Sequence, residues 1–205
     1  MNSEEITIIN YGMGNIGSIV NMLKRIGVKS HIAHNSKQIK SAKKLILPGV
    51  GAFDKAMLSI NALEIREALD KKVLEECVPI LGICLGMQLL TNGSEEGLSK
   101  GLGWIDGKAS LLPADQAVKV PHMGWNTVRP FNESPLTMDL SENSRFYFVH
   151  SYCVHVCDNK HSIMKSFHGI EFDAVIQKNN IFGAQFHPEK SHSFGMQLLK
   201  NFAGL

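Results

Sequence analysis

No apolar run in this 205-residue chain reaches the roughly 18 residues that a membrane-spanning helix requires. Charge of one sign is also scarce: the formal net charge is +2, which makes no case for a nucleic-acid partner. Lys37, Lys40, Lys43 and Lys44 form the densest basic cluster, and a solvated face is expected there. The opening Met1-Asn2-Ser3-Glu4-Glu5 carries acid where a secretory leader would carry base, so a cytoplasmic protein is expected. Cysteine is sparse as well. Four residues, Cys77, Cys84, Cys153 and Cys157, do not make a disulfide framework in a chain this long, and free thiols in a reducing compartment are the expectation. There is no linker-like stretch and no internal repeat, and the length suits one domain over residues 1–205 with enough chain to bury a core.

What is present is a succession of short apolar strands, each followed by a turn. Ile6-Thr7-Ile8-Ile9 reads as a strand, and Gly12-Met13-Gly14-Asn15-Ile16-Gly17 opens a helix with Ile19, Met22, Leu23 and Ile26 on its apolar face. The glycine spacing is formally that of a dinucleotide-binding turn. That site also wants an acid closing the second strand to hold a ribose, and here Ser30-His31-Ile32-Ala33 runs into His34-Asn35. A tight strand-to-helix turn explains the glycines, and no nicotinamide cofactor is expected. A third strand, Lys44-Leu45-Ile46-Leu47, ends at Pro48-Gly49-Val50-Gly51, where two glycines leave the backbone free to present N–H groups to an anion or to flip a peptide. Asn61-x-x-Glu64 has the form of a capping box, and Ile65, Leu69 and Val73 recur on one helical face. Alternation of this kind predicts an α/β fold: a mostly parallel central sheet with helices on both faces and ligands at the strand C-terminal ends. After Leu90, glycine-rich turns and short alternating segments around Trp104, Val118, Trp125 and Phe146 to Val149 predict a smaller antiparallel β element.

The stretch from Pro79 to Leu90 predicts a buried strand running straight into a helix, with Cys84 at the corner. Gly82-x-Cys84-x-Gly86 is the thiol form of a nucleophile elbow, in which small residues on either side let strand and helix approach closely. A helix N-terminus favours thiolate over thiol, and the Leu85 N–H can serve an oxyanion. The competing reading is a buried structural cysteine, the commoner fate of a free thiol. A nucleophile also needs a base. The strand-like Ile181 to Phe186 delivers His187-Pro188-Glu189, where proline geometry is expected to project His187 and Glu189 to the same side, the carboxylate orienting the imidazole. Ser191 or Ser193 then starts a last helix with Phe194, Leu198 and Phe202 facing inward. Cys153-Val154-His155-Val156-Cys157 suggests a metal. In a strand its outer ligands would stand roughly 13 Å apart, whereas two thiolates on one zinc are separated by less than about 5 Å, so no metal site is expected.

Cys84 at its elbow, the loop from Pro48 to Gly51 and His187-Pro188-Glu189 together resemble the class I (triad) glutamine amidotransferases, a family with a flavodoxin-like fold. More closely, the chain is similar to the glutaminase subunit of imidazole glycerol phosphate synthase. The blocks that carry this are Tyr11 to Asn15, Leu47 to Phe53, Gly82 to Leu90, Pro121 to Asn126, Tyr147 to Tyr152 and Gln185 to Ser191. They run in order along essentially the whole chain. The resemblance implies that Cys84 attacks the side-chain amide of L-glutamine to give a thioester and ammonia, with His187 shuttling protons and Glu189 holding the imidazole. It implies an oxyanion hole from Val50, Gly51 and Leu85, and glutamine binding at Gln88, Glu96 and the backbone of Ser151 and Tyr152. No cofactor is implied. The implied partner is a (β/α)8-barrel cyclase subunit of histidine biosynthesis, which takes the ammonia in a heterodimer and faces Met123, Trp125, Tyr147 and Lys190. The helix after Asn15 and the tail Ser191-His192-Ser193-Phe194-Gly195 instead resemble paralogues associated with surface-polysaccharide sugars, which leaves the ammonia acceptor open. The alternative from another class is a catalytically silent α/β binding or scaffold protein.

Overall fold

The computed structural model describes residues 5–114 and 118–205, and the acidic opening from Met1 to Glu4 lies outside them. The described strands in chain order are β1 (Ile6–Ile9), β2 (Ser30–Ala33), β3 (Leu45–Gly49), β4 (Ile80–Cys84), β5 (Gly107–Leu111), β6 (His122–Thr127), β7 (Arg129–Pro130), β8 (Arg145–His150), β9 (Tyr152–Val156), β10 (Ser162–His168), β11 (Ile170–Lys178) and β12 (Ile181–Ala184). One sheet takes the order β2-β1-β3-β4-β12-β11-β10-β7. From β2 to β12 the pairings are parallel, and beyond β12 they are antiparallel. The parallel part has the flavodoxin-like order, with the ligand crevice expected at its strand C-terminal ends. Two separate ribbons, β5 with β9 and β6 with β8, form the smaller antiparallel element.

The helices are α1 (Ile16–Arg25), α2 (Ser36–Lys40), α3 (Phe53–Ala62), α4 (Arg66–Asp70), α5 (Leu85–Leu89) and α6 (His192–Gly204). Burial on both faces explains why β1, β3, β4 and β12 are largely apolar without alternation. Leu45 and Leu47 of β3 point to a core shared with Phe53, Ile60 and Leu69, while Ile46 points to the opposite core with Ile19, Leu23, Leu198 and Phe202. This is the period-two geometry of a strand, used here to seat helices on each side. The glycine turn before α1 packs against β3: a Cβ on Gly14 would stand 2.9 Å from the Pro48 ring, while one on Gly17 would meet open space. The turn thus serves packing beside the Pro48 segment.

Several local expectations are corrected. Lys44 is buried, not solvated. Its Nζ donates to the Ala203 carbonyl at 2.8 Å and lies 6.0 Å from the Phe202 ring centroid, so it ties β3 to the C-terminal end of α6, where a cation suits the helix dipole. Asn61 and Glu64 do not cap α4. Asn61 sits in the last turn of α3, and Glu64 has a φ of 51°, so the pair ends one helix instead of opening the next. Ile65, Leu69 and Val73 are nonetheless buried, although the segment leaves α geometry for a π turn at Lys71–Glu75. Trp104 and Val118 lie outside strands; Trp104 is in a loop, its Nε1–H donating to Asp70 at 2.7 Å. Strand β3 continues through Pro48 and Gly49, beyond the expected Leu47. No helix among the described residues is long and apolar enough to cross a membrane.

Candidate active site

Cys84 closes β4 with a φ of 55° and a ψ of −111°, a backbone geometry that L residues rarely adopt. Strain of this kind, of order 1–3 kcal/mol, persists only where the surroundings over-determine it. Here the surroundings are very close. A Cβ on Gly82 would stand 2.6 Å from the Gly86 carbonyl oxygen, and one on Gly86 would stand 1.9 Å from the Leu47 carbonyl oxygen. The start of α5 therefore lies directly on β3 and β4, and only glycines allow it. The helix spans five residues, one fewer than the apolar pattern through Leu90 implies. So short a helix carries a weak dipole, and the side chains around the sulfur matter more.

The first of these neighbours is His187. Its Nδ1 lies 2.7 Å from Glu189 Oε1, with both side chains buried. The far ring nitrogen, Nε2, has no hydrogen-bond partner among the described residues. Burial by itself would lower the His187 pKa. The Cys84 sulfur and the Glu189 carboxylate outweigh it and push the value up to about 10. The imidazole therefore holds the proton at neutral pH, beside the Cys84 sulfur. Ser191 heads α6 as expected, but its side chain makes no helix cap. It donates instead to the His187 carbonyl at 2.6 Å and accepts from the Tyr147 N–H at 3.0 Å, pinning the imidazole's backbone.

In front of Cys84 opens a cavity of about 280 Å³, room for a molecule the size of an amino acid. Val50, Gly51, Leu85, Gln88, Glu96 and the segment from Val149 to Tyr152 line it with Cys84. Every residue expected for the oxyanion hole and for substrate thus meets Cys84 in one space, while His187 and Glu189 are buried outside its lining. Glu96 Oε2 also accepts the Phe53 N–H at 3.0 Å and so caps α3, whose own N-cap residue, Ala52, has no side chain to do it. Asp54 holds the same loop through the N–H groups of Leu98 and Ser99, at 3.1 and 2.9 Å.

Three neighbours of the sulfur were not singled out from the sequence. Gln185 Nε2 is 3.9 Å from Cys84 Sγ, and the Val149 carbonyl is 3.8 Å away. Tyr11 donates its hydroxyl to the Pro48 carbonyl at 2.6 Å, and burial, helped by the Cys84 charge, raises its pKa and keeps it a donor. Strand periodicity could have found Gln185, which stands two residues before His187 on the same face. Nothing in local spacing points to Val149 or Tyr11.

A class-I glutamine amidotransferase family model matches residues 7–204. The chain belongs to that family. Two curated relatives are named as imidazole glycerol phosphate synthase subunit HisH 2. The one from Methanococcus maripaludis is 52% identical over 197 residues, covering 96% of this chain and 98% of that one. The one from Pseudomonas aeruginosa is 47% identical over 200 residues, covering 98% and 99%. Among solved structures, PurLQS from Thermotoga maritima superposes with a TM-score of 0.75 at 16% identity, over 98% of each chain, which speaks for the fold alone.

On this amidotransferase the four residues expected at a partner surface lie together. Met123 and Trp125, 64% and 44% exposed, share the outer face of β6, and Tyr147 is the β8 residue opposite Trp125. Lys190 Nζ stands 5.6 Å from the Tyr147 ring centroid. His192, not foreseen there, stacks on Trp125 at 5.4 Å between ring centroids. Elsewhere, β9 keeps unbroken register with β5; Cys153 is buried and Cys157 exposed, so the two thiols face different surroundings.

Proposed function

We propose that this amidotransferase is the glutaminase subunit of an imidazole glycerol phosphate synthase, acting in the cytoplasm and passing ammonia to a (β/α)8-barrel cyclase subunit. The observation that carries the reading is the buried 2.7 Å His187–Glu189 pair beside a cysteine held at a strained elbow on an amino-acid-sized cavity. The names of the curated relatives support the pathway.

The chemistry follows from where the proton rests. The Cys84 thiolate attacks the side-chain amide carbon, and the carbonyl electrons move onto oxygen, where the N–H groups of Leu85 and of the Val50–Gly51 segment stabilise them. Collapse of this intermediate breaks the C–N bond as the imidazolium of His187 gives its proton to nitrogen, releasing ammonia and leaving a thioester. Water then attacks the thioester while neutral His187 takes one of its protons. The second collapse breaks the C–S bond, returns the thiolate and frees glutamate. Glu189 keeps the imidazole oriented through both halves and stabilises its cationic form.

The amino-acid end of glutamine rests against Ser151 and Tyr152. The Ser151 carbonyl is occupied by the Leu112 N–H at 2.8 Å, and the Tyr152 carbonyl by Gln88 Nε2 at 3.0 Å. With both carbonyls engaged, this segment offers N–H donors, which suit a carboxylate; Glu96 across the cavity suits the ammonium group. A second reading keeps the glutaminase chemistry and changes the acceptor to a sugar, favoured by His192 of the paralogue-like tail, which stacks on Trp125 within the partner surface. The test is a glutamate-release assay with the barrel subunit, followed by identification of the aminated product. Glutamate release coupled to imidazole glycerol phosphate formation is expected. Release without that product would favour the sugar acceptor, and no release at all would return the chain to a scaffold role.

A further inference from the structure

From His150 in the cavity lining starts a buried file of imidazoles that the triad does not use. His122 of β6 and His150 of β8 are directly opposed across the ribbon and nearly inaccessible. His150 Nδ1 is 2.9 Å from the Tyr152 carbonyl, His122 Nδ1 is 3.0 Å from His150 Nε2, and Asn126 Nδ2 is 3.1 Å from His122 Nε2. The orientation of the Asn126 amide is fixed independently: Nδ2 also donates to the Phe167 carbonyl at 2.9 Å, and Oδ1 accepts the Thr127 N–H at 2.8 Å.

These contacts leave one proton arrangement. A carbonyl can only accept, so His150 carries its proton on Nδ1. A neutral His150 then has a bare Nε2, which accepts from Nδ1–H of His122, and the bare Nε2 of His122 accepts from Asn126. The donors all point one way, from Asn126 at the ribbon's outer end to Tyr152 at the cavity. His168 closes the file from β10, stacked on His122 at 4.2 Å between centroids, with its Nε2 bonded to the Lys119 carbonyl at 2.8 Å. We infer that His122 and His150 are positioning residues for glutamine binding, whose one-way hydrogen-bond chain fixes the Tyr152 peptide and with it the wall that receives the substrate's amino-acid end.

The inference rests on the glutaminase reading for its substrate and on geometry for its mechanism. The Tyr152 carbonyl accepts from both His150 and Gln88, so its peptide is held from two sides. Remove the chain and one of the two supports goes, while the sulfur, His187 and Glu189 keep their own contacts. A positioning role of this kind acts on KM before it acts on kcat. The titratable groups that act on His150 are His122 from β6, His168 from β10 and His187 from the turn before α6. Each is cationic when protonated, and together with burial they keep the chain neutral.

Two measurements test this. In the wild-type protein, the imidazole nitrogens of His122 and His150 are assigned by long-range ¹H–¹⁵N NMR at pH 7. Both are expected as neutral Nδ1–H tautomers, and an Nε2–H tautomer or an imidazolium at either position would overturn the chain. In the complete complex, H122F keeps a ring against Phe148 and His168 but loses both hydrogen bonds, and KM for glutamine is expected to rise about tenfold with kcat within about threefold of wild type. H122N, whose amide can still donate to His150, is expected to recover most of that KM. An unchanged KM in H122F, or a loss confined to kcat, would refute the positioning role. Wild-type enzyme inactive on glutamine would overturn the proposed function and the substrate role with it, whereas the tautomers report on the chain whatever the activity; the two failures are read from different experiments.

Discussion

The His187 N–H donates to the Tyr147 carbonyl at 2.9 Å. Tyr147 thus supports the imidazole through its main chain while its ring lies on the exposed face between Trp125 and Lys190. A subunit docking on that face would bear on His187 through Tyr147 and through Lys190, whose N–H donates to the His187 carbonyl at 3.0 Å. Truncating the largest exposed aromatic there, Trp125→Ala, is expected to raise the partner concentration for half-maximal glutaminase activity by about tenfold or more, with kcat at saturation within about threefold. A titration of activity against partner subunit decides it. If the saturated kcat fell and the midpoint stayed, Trp125 would be acting on the triad and not on docking.

Replacing Cys84 by Ala is expected to leave less than about one part in a thousand of glutamine-dependent turnover, because no other thiol lines the cavity to take over the covalent route. Turnover of the complex on free ammonium should survive, since the thiol serves only ammonia release. Parallel assays with glutamine and with ammonium salts check both halves, and loss of the ammonium-dependent activity would mean that Cys84 also shapes the partner.

Much of this site was legible in the sequence, for physical reasons that differ from residue to residue. Cys84 could be read because the elbow demands glycines two residues to either side, a steric constraint that spacing records. His187 and Glu189 could be read because a proline fixes their relation. His150 could not, since a buried polar residue in a strand looks the same whether its neighbour is solvent or another buried side chain, and that neighbour, His122, arrives from a distant strand. Lys44 and the Asn61–Glu64 pair misled because their local patterns are shared by opposite outcomes: a lysine stem can lie on a surface or thread to a helix end, and Asn-x-x-Glu can open a helix or close one.

Iodoacetamide at mildly acidic pH is expected to label Cys84 first, because the His187 imidazolium stands beside its sulfur. The other thiols are internal controls. Burial, with Asp173 and Glu95 nearby, pushes Cys153 up to about 12, and Cys157, though exposed, is raised by local desolvation and by Asp106. Cys77 is exposed and tests simple access. Peptide mapping of a brief reaction gives the order. Equal labelling of the four in the native protein would remove the case for an activated thiol.

The imidazole file should appear in the acid stability of the protein. Burial and then His168 lower His122 to about 4, and burial and then His122 lower His150 to about 3. Both lie below the value of about 6.5 for an unfolded histidine, so as pH falls the unfolded chain takes up these protons first. The stability they contribute is present above about pH 6.5 and is lost progressively towards pH 3. Between about 6.5 and 4.5 most carboxylates remain ionised, so the melting temperature should fall more steeply for wild type than for a His122→Phe, His150→Phe double variant. Identical slopes would show that neither histidine is held neutral.

The isolated subunit is expected to be a poor glutaminase that its partner switches on. An oxyanion hole works only when its donors already point at the developing charge, and loss of one donor lowers the rate by about 100 to 1,000-fold. Val50 and Gly51 line the cavity beside Leu85, so the peptide ahead of Val50 decides whether the hole is complete. That peptide starts from Gly49, where a Cβ would stand within 2.9 Å of three groups: the Gly86 nitrogen, the Tyr11 hydroxyl and the Leu85 Cβ. The absence of a side chain there keeps the rotation sterically open, while the Tyr11 hydroxyl holds the Pro48 carbonyl just before it and gives the movement a fixed end. A partner seated on Trp125 and Lys190 would shift the two settings only by as much as it prefers one over the other. An activation of about 100-fold or more in kcat is therefore expected when barrel subunit and acceptor are both present, with a smaller gain from the subunit alone. The measurement is kcat for glutamine hydrolysis in the three conditions. Full activity in the isolated chain, indifferent to both additions, would mean that the hole is complete at rest and that the enzyme works as a stand-alone glutaminase.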